Sequence, residues 1–116
     1  MSIERIEPSA RMSQAVIHGG VVYLAGQVAP EVDGVTAQTG AILEKIDRLL
    51  GAAGSSRSRL LSASVILADI GEFEAMNAVW ETWIDPSDPP ARATIGAALA
   101  RPEFQVEIIV TAAVSE

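Results

Sequence analysis

Apolar residues recur along this chain with two different periods, and the places where the period changes divide it into elements. In "TAQTGAILEKIDRLLGAAGSS", residues 36–56, Ile42, Leu43, Ile46, Leu49 and Leu50 fall at three- and four-residue spacing, which lines them along one side of an amphipathic helix. Glu44 and Arg48 are expected to pair on its outer side, with Gly51 and Gly54 available as stops. The same spacing returns in "GEFEAMNAVWETWID", 71–85, through Phe73, Met76, Trp80, Trp83 and Ile84. This predicts a second helix, ended by the loop that holds Pro86, Pro89 and Pro90. Elsewhere the pattern is strand-like. Gly19 and Gly20 separate a run ending at His18 from "VVYLAGQV", 21–28, so these two predict a hairpin. Further strands are expected at 59–70, 91–99 and 104–114, the last two split by Pro102, with a short first strand at 3–6.

The resulting order, ββ-α-β-α-ββ, predicts an α+β two-layer sandwich, a mixed sheet with both helices on one face. Period-two alternation then assigns strand faces. Leu61, Ala63, Val65 and Leu67; Ala93, Ile95, Ala97 and Leu99; and Phe104, Val106, Ile108, Val110 and Ala112 are the apolar sets expected under the helices. The opposite sets are Ser62, Ser64 and Ile66; Arg92, Thr94, Gly96 and Ala98; and Gln105, Glu107, Ile109 and Thr111. A face of small and semi-apolar residues suits sheet packing between subunits better than exposure to water, so a homo-oligomer joined through it is expected.

Composition narrows the function. A chain of 116 residues is expected to form one domain, 1–116. Its net charge of −7 disfavours nucleic acid and anionic membranes as partners, because binding phosphate depends on Lys and Arg. The absence of cysteine excludes disulfides, thiolate nucleophiles and Cys-ligated zinc, and a single histidine gives no basis for a metal site. No cofactor is expected. The charged start "MSIERIEPSA" and the lack of a long apolar run point to a soluble cytoplasmic protein.

One residue stands out against this background. In "DPPARATIGAALARP", 88–102, Arg92 follows two prolines at the mouth of a strand. Its guanidinium is a permanently charged fork matched to carboxylates and phosphates. On pattern alone it either pairs with Asp85, Asp88 or Glu107, in this chain or a neighbour, or anchors an anionic ligand. Asn77 is expected to bond nearby backbone, Trp80 and Trp83 to be core, and His18 to sit solvated at the hairpin turn.

The chain resembles the RidA (YjgF-type) family of reactive intermediate deaminases over nearly its whole length. The resemblance is carried by "SQAVIHGGVVYLAGQV" (13–28), "QTGAILEKIDRLLGAAGSS" (38–56), "MNAVWETW" (76–83) and "PPARATIGAALARPEFQVEI" (89–108), in that order, and it is closest to a YoaB-like branch. It implies a chorismate-mutase-like fold and a homotrimer with clefts between subunits. There a small carboxylate metabolite, a 2-imino, 2-enamino or 2-oxo acid, would be held by Arg92. The positions it implies for substrate binding are Arg92, Asn77, Met12, Ala25, Gly26 and Ile109. Met12 stands where the deaminases carry tyrosine and Ala25 where they carry serine. The resemblance also sets Ile109 at the place of a second glutamate in "EIE", which predicts loss of the usual water-activating carboxylate and leaves Glu107 as the catalytic candidate. Weak enamine or imine hydrolysis is thus expected. The alternative is a non-catalytic ligand-binding or regulatory trimer, and an endoribonuclease or translation inhibitor ranks behind both.

Overall fold

The computed structural model describes residues 2–114. Its strands are β1 (Glu4–Pro8), β2 (Ser13–His18), β3 (Val21–Leu24), β4 (Leu60–Leu67), β5 (Ala91–Gly96) and β6 (Val106–Ala113). Its helices are α1 (Val35–Ala52) and α2 (Phe73–Trp83). The strands form one sheet in the order β1-β2-β3-β6-β4-β5, in which only the β4–β5 pair, joined through α2, is parallel. Extents of 42 × 38 × 20 Å describe a slab. Its short dimension holds one sheet and one helix layer, each about 10 Å deep.

Helix α1 follows its periodicity. Ile42, Leu43, Ile46, Leu49 and Leu50 are all buried and pack on Val22, Val65, Ile108 and Val110 in one core cluster. The helix ends in a Schellman motif: Ser55 N–H donates to the Leu50 carbonyl and Gly54 N–H to that of Gly51, with Gly54 at φ 78°. Gly51 itself lies inside the helix. Arg48 bonds Glu7 at 2.6 Å instead of pairing with Glu44, because the first strand comes within its reach. The β2–β3 hairpin turns on Gly19 and Gly20, both at positive φ, as a two-residue primed turn requires.

Two face assignments are corrected. A register shift between Leu60 and Ser62 turns Leu60 into the core and leaves Leu61 48% exposed. On β5 the faces are exchanged. Arg92, Thr94 and Gly96 lie beside the buried Ala63, Val65 and Leu67, under α2, while Ala93 and Ile95 share the open face with Ser64 and Ile66. The cause is local. The turn before α2 brings Ile70 Cβ to 3.0 Å from where a Cβ on residue 96 would stand, so glycine must face it, and period two carries Thr94 and Arg92 to the same side. The strands are also shorter than expected at 21–24 and 91–96, and Ala97–Leu99 lie beyond β5.

The open face therefore carries Ile66, Ala93, Ile95 and Ile109 together with Ser62, Ser64, Glu107 and Thr111, and Tyr23 beside Thr111. Ile95 and Tyr23 are each half exposed.

Candidate functional site

Phe73, Asn77 and Trp80 occupy positions i, i+4 and i+7 of α2 and so share one side of the helix. That side overhangs the edge strand β5. The Arg92 guanidinium carbon lies 5.2 Å from the centre of the Trp80 ring and 6.0 Å from that of Phe73, within cation–π range. Among the described residues Arg92 makes no ion pair and no hydrogen bond, with Asp85, Asp88, Glu107 or any other group. The Asn77 amide likewise bonds no backbone group among them, contrary to the expectation from sequence. A cation and a free amide are thus set on one ledge, where all five guanidinium donors remain available.

A second cluster forms where β3 ends and β6 begins. Past Leu24 the chain leaves the ladder and rejoins it at Gln27, which exchanges backbone hydrogen bonds with Ile108. Ala25 N–H donates to the Gln14 carbonyl, and the buried Gln27 amide donates to the Ala25 carbonyl and to Gln14 Oε1 at 2.9 Å. These bonds hold the Ala25–Gly26 segment open. Glu107 lies across Gly26: a Cβ there would overlap its Oε2 and stand 2.8 Å from its Cδ. Glycine at this point lets a carboxylate rest directly on the backbone. Ile109, two residues further on the same face, stands opposite Ser64 and is 37% exposed. Met12, 45% exposed, sits at this end of the sheet in the β1–β2 turn, which Ser9 closes through its N–H and hydroxyl to the Met12 carbonyl.

Within one chain the two clusters stay apart. Arg92 is level with Ala63 and Val110, whereas Glu107 lies three residues along β6, two strands across and on the other face. At strand spacings of about 4.8 Å and 3.3 Å per residue that is on the order of 14 Å. Arg92 lies on the side of the sheet beneath the α2 face that carries Asn77, and Met12, Ala25, Gly26 and Glu107 lie in the other cluster.

The aromatic ledge was readable in principle, since Phe73 and Trp80 flank Asn77 at helical spacing, but nothing in the pattern of β5 turned Arg92 toward it. A second arginine cluster had no signal in the sequence. Arg57 donates to Asp47 at 2.7 Å and to the Trp83 carbonyl at 2.8 Å and lies 5.1 Å over the Trp83 ring. Trp83 Nε1 donates to the same Asp47 oxygen. These contacts tie α1, α2 and the turn before β4 together. His18 is exposed at the hairpin, with Nδ1 3.3 Å from the Ser2 carbonyl.

Fold and sequence together define the class. Residues 2–114 match the family described as Endoribonuclease L-PSP, and the chain belongs to this family, also known as YjgF/RidA. A RutC family protein of Haemophilus influenzae is 44% identical over 115 residues, covering 97% of this chain and 98% of that one. The RutC family protein YoaB of Escherichia coli is 40% identical over 115 residues, covering 98% and 100%. A solved member of the YjgF family from Neisseria meningitidis superimposes with a TM-score of 0.98 at 38% identity, covering 100% of this chain and 98% of its own. No helix among the described residues is long and apolar enough to cross a membrane.

Proposed function

We propose that this chain binds small carboxylate metabolites, 2-imino, 2-enamino or 2-oxo acids, in clefts between subunits of a homotrimer, and hydrolyses the imines. The observation that carries this reading is the Arg92 guanidinium set against the Trp80 and Phe73 rings, whose donors no carboxylate among the described residues occupies. A charged fork without an internal partner is an anchor for a carboxylate from outside. Because Arg92 and Glu107 lie on opposite faces of one sheet, a shared site needs the Arg92 edge of one copy against the Gly26–Glu107 end of another. The semi-apolar open face supplies a surface for that association.

In such a cleft Glu107 is the group that handles protons. As water adds to the imine carbon, the carboxylate takes one of its protons and passes it to nitrogen; in the carbinolamine so formed it relays the hydroxyl proton to nitrogen as the C–N bond breaks, releasing ammonia and leaving the 2-oxo acid. The lack of a Cβ at Gly26 leaves the space that this carboxylate occupies. With Ile109 in place of the family's second glutamate, Glu107, two residues earlier on the same face, is the carboxylate this reading uses. A second reading, binding without turnover, is favoured by Met12 and Ala25, which offer no hydroxyl beside Glu107. The acidic charge of −7 argues against an RNA substrate.

The test is paired. Pyruvate binding is followed by calorimetry, and ammonia release is followed from imines generated in situ by an amino-acid oxidase. Arg92→Lys is expected to weaken pyruvate binding at least tenfold. Glu107→Gln is expected to keep binding and lower the rate about 10²–10⁴-fold. Wild-type binding without any rate above buffer selects the second reading, and pyruvate binding that is indifferent to Arg92→Lys overturns both.

A further inference from the structure

We infer that Trp80, assisted by Phe73, is a positioning residue that holds the Arg92 guanidinium in a binding-ready plane before any ligand arrives. This rests on the reading of Arg92 as a carboxylate anchor and adds the means by which the anchor is oriented.

Two arginines of the molecule lie against tryptophan rings, and they differ in what their donors do. Arg57 lies 5.1 Å over Trp83, but its N–H groups are spent on Asp47 and on the Trp83 carbonyl. Asp47 in turn receives Trp83 Nε1, so the cluster is closed on itself. Arg92 lies 5.2 Å over Trp80 and 6.0 Å from Phe73, with no acceptor among the described residues. An aromatic ring attracts the guanidinium through its face, and the five donors lie in the guanidinium plane. Contact with the rings therefore restrains the guanidinium without consuming donors, which a carboxylate partner would do. Trp80 is itself immobile. It is 6% exposed and packs against Trp83 with ring centroids 5.5 Å apart. A side chain locked in the core thus lends its rigidity to an exposed side chain on an edge strand. A free arginine loses much rotamer freedom when it clamps a ligand, whereas a stacked one has lost part of it already.

The experiment reads Arg92 directly. In ligand-free protein, ¹⁵N relaxation of the Arg92 Nε–H, assigned by its loss in Arg92→Lys, is compared across variants, and pyruvate affinity is measured on the same samples. Wild type and Trp80→Phe should show an Arg92 Nε–H as restricted as that of Arg57. Trp80→Leu should free it toward the behaviour of the exposed Arg101 and weaken pyruvate binding five- to tenfold. It should cause no further loss in an Arg92→Lys background. If Trp80→Leu does not fold, Phe73→Leu, at a half-buried position, should give a smaller shift of the same sign. An Nε–H that stays restricted without the ring overturns the proposal alone, as does an equal loss of affinity in both backgrounds. Pyruvate binding unaffected by Arg92→Lys overturns the anchor reading along with it.

Discussion

At the scale of the residue, the proposed chemistry turns on Gly26 and Glu107. The glycine is at ordinary φ, so alanine is allowed by the backbone, and its methyl would meet the Glu107 side chain first, at the carboxylate. Gly26→Ala should therefore move the carboxylate while costing little stability, and the imine-hydrolysis rate should fall well before the melting temperature does. Ile109→Glu adds a carboxylate on the same face, about 7 Å from Glu107, and should not raise the rate if Glu107 already serves. A different residue offers a stability test. The Thr39 hydroxyl is fully buried in α1 and has no hydrogen-bond partner among the described residues. Because an unpaired buried hydroxyl carries its desolvation penalty uncompensated, Thr39→Val should stabilise by about 1 kcal/mol, visible as a rise of about 4 °C in a thermal melt.

Among the elements, the helix pair is held by more than its apolar seam. Arg57 bridges the Asp47 side chain of α1 and the last carbonyl of α2, and Asp47 is shared with Trp83. Arg57→Ala leaves Asp47 and the end of α2 short of a donor at a half-buried site. The expected cost is about 1–3 kcal/mol, measured as a lower urea midpoint with unchanged slope. The loop before α1 is fastened separately. Lys45 donates to the Val28 carbonyl at 2.7 Å and pairs with Glu31, while buried Gln38 bonds the Val32 and Glu103 carbonyls and accepts from Gln105 N–H. A backbone hydrogen bond within Glu31, and then Lys45, hold the Glu31 carboxyl below its ordinary range. A lowered folded-state pKa means that its contribution is present above the unfolded value and is lost as pH falls through the folded one. The fastening should weaken only under acid conditions, and Glu31→Gln should remove that part of the acid sensitivity.

For the whole molecule the decisive feature is a slab with one bare sheet face. Ile66, Ala93, Ile95 and Ile109 lie across β4, β5 and β6 of that face, with Ile95 53% exposed. Under the proposed trimer, light scattering should give about three times the chain mass of 12.2 kDa, persisting at micromolar concentration. Ile95→Glu, which places a charge where sheets would meet, should shift the mass toward that of one chain. It should also abolish imine hydrolysis while leaving the helical circular-dichroism signal in place, because a site divided between copies fails when they separate.

What the sequence determined by itself was the elements whose local period has strong contrast. The stripe from Ile42 to Leu50 has a single helical solution, and the burial of Met76, Trp80 and Trp83 followed from the same rule. The hairpin was likewise legible, because two adjacent glycines tolerate the positive φ that the turn demands. Arg92 could be singled out, with an ion pair and an anchor both open on pattern alone, but its surroundings could not be read. Along Ala91–Gly96 small, polar and apolar residues alternate with little contrast, so hydrophobicity alone places Ile95 inward. Tertiary structure chose the reverse, since Ile70 leaves room only for a glycine opposite it, and period two then sets Arg92 against the rings of Phe73 and Trp80. It also decided that Glu107 rests on Gly26, residues 81 positions apart in the chain. Only the antiparallel register of β6 with the β3 segment brings them together, and no local pattern encodes a contact that depends on which strands become neighbours.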